Sequence, residues 1–163
     1  MRKIPLIVLG ALLMNQSVFG LDLVRHASLP MADALRIAEA ALKECRRQGY
    51  DVSVAVVDGG GNLQVLLRDE NAGPHTVDSS FRKAYTAFSL RKPTRELAAL
   101  VARNQQIQAL REMNEKILIL GGGVPIEVNR KVIGGIGVGG APGAELDEKC
   151  AKTGIRAIGL RSD

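Results

Sequence analysis

Apolar residues recur along this chain at helical spacing in four stretches. Over about 30–48 they recur every three or four residues, which predicts an amphipathic helix that ends at Gly49. The same spacing predicts three further helices, over 76–90, 95–113 and 144–152. We expect a break near Asn104 in the third helix, and we expect Gly154 to end the fourth.

Short apolar runs bounded by turn residues predict five strands, over 52–57, 63–68, 117–120, 124–128 and 131–138. The first two runs flank the turn residues 58–62, and the last two flank Asn129 and Arg130, so each pair is predicted to be a hairpin. Strands joined by tight turns pair antiparallel. The sequence therefore predicts an α+β domain rather than a doubly wound parallel sheet.

The first twenty residues have the three-part pattern of a secretory signal peptide. Arg2 and Lys3 precede an uncharged, mostly apolar run over 4–14, and a polar stretch leads to Gly20. This run is shorter than the roughly twenty apolar residues that span a bilayer, which argues against a membrane anchor. A buried first helix is the other alternative. We expect cleavage after Gly20, a linker over 21–29, one domain over 30–163, and a periplasmic or secreted location without a membrane anchor.

Charge and composition argue against a nucleic-acid partner. The net charge is +5 at pH 7, and removal of Arg2 and Lys3 with the signal lowers it to +3. Lys and Arg are scattered, aromatic residues are scarce, and no basic stripe alternates with aromatic side chains. The core is therefore expected to be aliphatic and the protein is expected to bind no nucleic acid.

Two cysteines, Cys45 and Cys150, leave two possibilities open. In an oxidising compartment the pair can form a disulfide. Alternatively, each thiol is buried separately as a small apolar group. Their separation excludes a CxxC redox or zinc motif.

The glycine-rich run over 135–140 matches the pattern G-x-G-x-x-G. A dinucleotide fold requires a following parallel strand and an acidic residue about twenty positions later, and no such strand is predicted here. Glu145 and Asp147 also place negative charge at the start of the next helix, where it opposes a phosphate. We expect the glycines to allow close approach of a backbone to a ligand, a helix or another subunit.

Residues suited to catalysis are few. The chain has two histidines, His26 in the predicted linker and His75 before the second helix. The nearby Ser79, Ser80 and Asp78 are too close in sequence to His75 to be arranged around it as a triad. Neither a zinc cluster nor an obvious catalytic set is predicted, so a binding protein is favoured over an enzyme.

The second predicted helix has an apolar stripe and a polar face. The stripe consists of Val77, Phe81, Ala84, Tyr85 and Phe88. The polar face has helical spacing and consists of His75, Ser79, Arg82 and Thr86, with Lys83 beside it. One imidazole and two cations on one face could hold an iron and the carboxylates of its macrocycle. The alternative is a solvated face on which Asp78 pairs with Arg82.

Several sequence blocks, taken in order, resemble a known family. They are VAVVDGGGNL over 54–63, GPHT over 73–76, RKAYTA over 82–87, GGGVPI over 121–126, IGGIGVGG over 133–140 and DEKCA over 147–151. In this order and spacing they resemble the GlcG/HbpS-like haem-binding family, which also includes the C-terminal domain of PduO. The resemblance covers about 29–160, nearly the whole chain after the signal.

The resemblance implies a profilin-like fold with a five-stranded antiparallel sheet flanked by helices. It also implies homo-oligomers and the binding of haem or a related tetrapyrrole. An exported protein for haem carriage, storage or sensing is the leading hypothesis. The alternatives are an accessory or enzymatic component of a periplasmic small-molecule oxidation pathway, and a purely structural oligomer.

The axial ligand of haem differs among members of this family, so it is chosen here from the residues available. His75 is predicted as the iron ligand because it is the one plausible nitrogen ligand in the domain. Tyr85 and Thr86 are the oxygen alternatives. The other predicted haem contacts are Arg82, Lys83, Thr86, Gly122, Gly123 and Gly140.

Overall fold

The structure is a computed structural model that describes residues 26–162. Its elements in chain order are α1 (Met31–Arg47), β1 (Ser53–Val57), β2 (Leu63–Arg68), α2 (His75–Leu90), α3 (Thr94–Arg103), a 3₁₀ segment (Gln105–Arg111), β3 (Gly123–Val128), β4 (Lys131–Gly139) and α4 (Ala144–Arg156). The predicted signal over 1–20 and the linker residues 21–25 lie outside the described residues. None of the helices described is long and apolar enough to cross a membrane.

The strands form one sheet in the order β2-β1-β4-β3, and every neighbouring pair is antiparallel. Both predicted hairpins are present, as β1–β2 and β3–β4, and the first strand of one hairpin pairs with the second strand of the other. The predicted α+β class, with helices flanking an antiparallel sheet, is confirmed.

The predicted strand over 117–120 is absent, so the prediction of five strands is wrong for the described part of the chain, which has four. The segment lies against α2 instead. Its Leu118 N–H donates to Thr86 Oγ1 at 2.8 Å, and its Ile117 carbonyl accepts from Arg82 Nη2 at 2.9 Å. Because side chains of α2 take up these backbone groups, they are not available for a fifth strand. A profilin-like topology stays a prediction.

The sheet is covered on both faces, which explains why every residue of β1 is buried. Val54 and Val56 belong to the main core with α1 and α4, whereas Ala55 and Val57 pack with Ala84 of α2. Successive side chains of a strand point to opposite faces. The domain is therefore a sandwich of three layers, with α1 and α4 on one side of the sheet and α2 on the other.

The glycines of β4 allow α2 to lie directly on the sheet. A Cβ atom at Gly137 would overlap the carbonyl oxygen of Ser80 and lie 2.5 Å from the backbone nitrogen of Ala84. A Cβ atom at Gly135 would overlap the carbonyl oxygen of Ala84. We expected the glycine-rich run to approach a ligand, a helix or another subunit. In this structure it approaches a helix, α2.

The face of α2 that is buried differs from the predicted apolar stripe. Its buried residues are Thr76, Ser80, Lys83, Ala84, Thr86 and Ala87. Of the predicted stripe, only Ala84 is buried, and the larger Phe81, Tyr85 and Phe88 are half-buried. Small side chains form the contact face because the glycines of β4 bring the helix backbone too close for large ones.

On the opposite side of the sheet, a Cys45–Cys150 disulfide joins α1 to α4, with the two Cα atoms 5.6 Å apart. Gly154 lies inside α4, which continues to Arg156, so the prediction that this glycine ends the helix is wrong. A Cβ atom there would be 2.5 Å from the Ile37 carbonyl oxygen of α1. The glycine allows the two helices to approach closely.

The described end of the predicted linker, residues 26–29, contacts the β1–β2 hairpin. Leu29 is buried in the main core, and its carbonyl accepts a hydrogen bond from Gln64 Nε2 at 3.0 Å. The Ser28 hydroxyl accepts the Gly59 N–H at 3.1 Å. These contacts fix the path by which the chain enters α1.

A buried ion pair links α2, β4 and α4. Lys83 Nζ lies 2.8 Å from Asp147 Oδ2 and donates to the Val138 carbonyl at 2.9 Å. Asp147 Oδ1 accepts the Ala141 N–H at 3.0 Å. Each of the two charged side chains is 4% exposed, so each depends on the other for compensation of its charge.

Two arginines occupy left-handed backbone conformations. Arg130, the second residue of the β3–β4 turn, has φ 64°, and Arg91, directly after α2, has φ 53°. Asn129 before Arg130 has φ 51°, so both central residues of the turn have the positive φ of a type I′ hairpin. For a residue with a Cβ atom this conformation costs about 1–2 kcal/mol relative to the right-handed region.

Gly137→Ala tests the contact between α2 and β4. The added methyl group must displace the backbone of α2, so we expect the free energy of unfolding to fall by about 3 kcal/mol, at the upper end of overpacking effects. Urea denaturation measures this change. Gly60→Ala is the matched control, because Gly60 is exposed and a methyl group there meets only the Asn62 and Asp58 side chains. Equal losses in the two variants would contradict the described packing.

Asp147→Asn tests the buried ion pair. The variant leaves the Lys83 ammonium buried without a counter-charge, which lowers the free energy of unfolding by about 3–5 kcal/mol. Asp78→Asn is the control, because its partner Arg82 lies on the same helix but the Asp78 side chain is 67% exposed. Exposed pairs contribute at most about 1 kcal/mol. Similar losses for both variants would show that Lys83 and Asp147 do not depend on each other.

The disulfide predicts that mature protein, denatured without reductant, contains no thiol that reacts with Ellman's reagent. The bridge spans a sequence separation of 105 residues, for which the loop-entropy model gives a stabilisation of at most about 4–5 kcal/mol. Reduction or a Cys45→Ala/Cys150→Ala double variant is therefore expected to lower the urea midpoint. Two reactive thiols per chain in the oxidised protein would refute the bridge.

Candidate functional site

A cleft of about 320 Å³ opens where the start of α2, the bend at 120–121, the loop over 140–143 and the start of α4 meet. We call it the His75 cleft. Its lining includes the side chains of His75, Ser79, Lys83, Leu120 and Asp147. Gly140 contributes backbone to the lining. The end of β4 brings the glycine loop to this point, and the packing of α2 on β4 brings His75 to the opposite wall.

His75 begins α2 and its side chain is exposed at the cleft. Pro74, at the N-cap position, fixes the backbone just before it. The imidazole folds back over Gly73, since a Cβ atom at Gly73 would lie 2.5 Å from His75 Cε1. Within residues 26–162 the imidazole makes no hydrogen bond. Its ring nitrogens are therefore available to a ligand.

The Lys83–Asp147 pair lies in the wall of the cleft and largely cancels its own charge. Burial raises the pKa of the Asp147 carboxyl above its usual value, and the Lys83 ammonium and the Ala141 N–H oppose that rise. Val138 and Asp147 take up two donors of the Lys83 ammonium. This wall therefore presents a polar surface with little net charge.

Arg82 and Thr86, two further predicted haem contacts, lie outside the cleft lining, under the 117–118 segment. The Thr86 side chain is fully buried. The Arg82 guanidinium donates to the Ile117 carbonyl and pairs weakly with Asp78, with 3.4 Å between the nearest nitrogen and oxygen. Its Nε is buried and has no hydrogen-bond partner among the described residues. Arg82 thus retains one donor without an acceptor.

The three predicted glycines are distributed between the cleft and the core. Gly140, with φ 133°, lines the cleft and adopts a conformation that favours glycine. Gly122 and Gly123 are buried beneath it. A Cβ atom at Gly122 would lie 3.0 Å from Lys83 Nζ, and one at Gly123 would lie 2.7 Å from Thr94 Cγ2. Of the seven predicted haem contacts, the cleft therefore brings together His75, Lys83 and Gly140.

Asp147 and Leu120 are cleft residues that the sequence analysis does not select. From the sequence, Asp147 is an ordinary acidic residue in the first turn of a helix. Its position just after a glycine-rich loop is the feature that could have indicated a cleft residue. Leu120 was expected in a strand, but it is 48% exposed at the cleft. It supplies an apolar surface near the imidazole of His75.

Among the residues that line the cleft, His75 has the side-chain nitrogen suited to an iron. Among the described residues, no group of three or more His, Cys, Asp or Glu side chains is arranged to hold a metal. The cleft thus offers one imidazole nitrogen as a possible ligand.

Comparison with known proteins identifies relatives across most of the described chain. Protein GlcG of Escherichia coli K12 is 34% identical over 111 residues, which are 68% of this chain and 79% of GlcG. A crystal structure of HbpS is 40% identical with a TM-score of 0.80, and the match covers 85% of this chain and 96% of HbpS. The crystal structure of a PduOC:haem complex is 26% identical with a TM-score of 0.74, over 83% of this chain and 96% of PduOC.

A family model also matches the domain. Residues 29–156 match the model described as "Haem degrading protein HbpS-like". The range includes every element from α1 to α4 and all the residues of the His75 cleft. The resemblance drawn from the sequence blocks is thereby confirmed, and the chain belongs to the HbpS-like family.

Proposed function

We propose that this chain is an exported protein that binds haem, with His75 as the iron ligand. The observation that carries the proposal is the His75 imidazole, which is exposed at a cleft and makes no hydrogen bond within the described residues. Membership of the HbpS-like family and the similarity to PduOC, whose crystal structure is a haem complex, support haem as the ligand.

The donor set fits a tetrapyrrole in part. The imidazole of His75 supplies a nitrogen, and Leu120 supplies an apolar surface beside it. A volume of about 320 Å³ is at the lower end for small-molecule sites, so the cleft encloses one edge of a macrocycle rather than the whole. We propose that a second copy of the chain covers the rest, which gives the expected homo-oligomer a role in binding.

Each proposed contact has a separate task. Bound haem would supply an iron and one-electron redox chemistry. The His75 imidazole would hold the iron, and Gly140 would let the backbone of its loop come near the ring. Arg82 lies outside the cleft lining and its side chain is 31% exposed, so it pairs with a carboxylate that projects from the macrocycle beyond the cleft. Lys83 adds polarity rather than net charge because Asp147 neutralises it.

Thr86, Gly122 and Gly123 act indirectly, through the backbone segments whose positions they determine. Thr86 holds the 117–118 segment on α2, and that segment leads directly to Leu120 at the cleft. Gly122 and Gly123 allow β3 to pass close to Lys83 and Thr94. In this proposal they set the shape of the site without touching the ligand.

Two features support export. Residues 1–20 have the charged start, the short apolar run and the polar end of a signal peptide. The Cys45–Cys150 disulfide is typical of proteins that work in oxidising compartments. We propose that the mature protein carries, stores or senses haem outside the cytoplasm.

Haem breakdown is the second candidate function, because the family model is described as haem degrading. The two candidates differ in the fate of the ligand. Incubation of the haem-loaded protein with ascorbate in air separates them. A Soret band that persists supports carriage, storage or sensing, whereas a steady loss of the band with release of iron supports breakdown.

Titration of the purified mature protein with haemin tests the site. We expect a Soret band that saturates, and we expect His75→Ala to shift its maximum and weaken affinity by about tenfold or more, the equivalent of about 1.4 kcal/mol. Arg82→Ala is expected to weaken affinity with a smaller change in the spectrum. His26→Ala is the matched histidine control and is expected to behave like the parent.

Two outcomes would overturn the assignment. If His75→Ala leaves both the spectrum and the affinity unchanged, His75 is not the ligand, and Tyr85 becomes the next candidate. If no variant of the parent chain, nor the parent itself, gives a Soret band that saturates, the proposal of haem binding is wrong.

A further inference from the structure

A second cleft lies at the far end of α2 from His75. It has a volume of about 810 Å³ and opens between the last turn of α2, the β3–β4 hairpin and residues 26–27. We call it the hairpin cleft. The lining residues that bear on its chemistry are His26, Phe88, Arg91, Arg130, Lys131 and Ile133.

The hairpin cleft is strongly cationic. It is lined by Arg91, Arg130 and Lys131, and none of its lining residues is acidic. Within residues 26–162, these three side chains take part in none of the ion pairs or side-chain hydrogen bonds. Arg46, Lys83 and Arg95, by contrast, each pair with a carboxylate. Glu96 and Glu127 line an adjoining pocket with Arg91 and Arg130 but form no ion pair with them. Positive charge therefore predominates at the hairpin cleft, and it would attract an anion.

At two of these positions the arginine occupies a backbone conformation that usually favours glycine. Arg91 and Arg130 stand where glycine is the common residue, just after a helix and at the second position of a type I′ turn, and both have positive φ. The partial negative charge at the end of α2 gives Arg91 a local reason. The turn offers Arg130 no comparable reason, and residues held in such conformations are concentrated at functional sites.

The wall beside these cations is apolar. Phe88 and Val132 of β4 are half-buried and line the cleft, and Ile133 beside them is 7% exposed. Guanidinium groups bind carboxylates and phosphates through paired hydrogen bonds, and apolar surface favours a ligand with a planar or hydrocarbon body.

We propose that the hairpin cleft binds a small organic polyanion, a compact apolar or planar body with two or more carboxylate or phosphate groups. Arg91 and Arg130 hold the anionic groups from the two sides of the cleft, and Lys131 adds charge at the rim. Phe88 and Val132 contact the body of the ligand. This site is separate from the His75 cleft and does not depend on haem binding there.

The test uses three probes on the isotope-labelled mature protein at low salt, followed by amide chemical shifts. Isophthalate has an aromatic ring with two carboxylates, benzoate has the ring with one, and pyrophosphate has phosphates without a ring. We expect isophthalate to bind about tenfold more tightly than benzoate, with the largest shifts at 88–91 and 129–133, since a further charged hydrogen-bonded contact is worth about 1.5–3 kcal/mol. Tighter binding of pyrophosphate at the same residues would assign the site to phosphates.

Arg91→Gly and Arg130→Gly are sharp variants because glycine suits the backbone at both positions. Each is expected to unfold at the same temperature as the parent or higher, and to weaken isophthalate binding about tenfold. Lys131→Gln is a further variant outside the turn. Arg36→Gln is the control, since Arg36 is an exposed arginine on α1 that pairs with Asp33.

Three results would overturn the proposal. The first is the absence of saturable shifts at 88–91 and 129–133 with both isophthalate and pyrophosphate at millimolar concentration. The second is equal affinity of the parent, Arg91→Gly and Arg130→Gly. The third is equal weakening by Arg36→Gln, which would indicate nonspecific attraction to a basic protein. A failed haemin titration leaves these results untouched, so the two proposals can fail separately.

Discussion

The close contact between the backbone of α2 and the glycines of β4 determines most of what this domain can do. Gly135 and Gly137 leave no room for a Cβ atom beneath the helix, so α2 lies lower on the sheet than a helix on large side chains would. Lys83 consequently donates to the Val138 carbonyl of β4 and to the Asp147 carboxylate of α4. This ion pair joins α4 to α2 and β4. Disulfide-linked α1 and α4 brace the other face of the sheet.

The same contact places a cleft at each end of α2. Its start carries His75 to the glycine loop that follows β4, and its end carries Phe88 and Arg91 to the hairpin turn that precedes β4. One cleft has an imidazole and little net charge in its wall, while the other has three cations and an apolar wall. The two clefts therefore lie at opposite ends of one helix.

Much of this architecture could be predicted from sequence because it depends on local signals. Turn residues between apolar runs predict both hairpins, and helical spacing predicts α1 and α2 to within a few residues. The prediction of a fifth strand was wrong because the backbone groups of Ile117 and Leu118 bind side chains of α2, which are far away in sequence. The buried face of α2 was misassigned for a related reason, since glycines in a distant strand make Ser80 and Lys83 interior residues. Likewise, the partner of Lys83 depends on how α4 packs, which no local pattern encodes.

The central claim is that His75 at the start of α2 holds an iron-containing macrocycle. A crystal of the mature chain grown with haemin, measured on both sides of the iron absorption edge, tests it directly by locating the iron. We predict an anomalous peak at bonding distance from a nitrogen of the His75 imidazole, in the cleft formed with Leu120 and the loop over 140–143. A peak beside Tyr85, in the hairpin cleft near His26, or on no residue of the chain would contradict it.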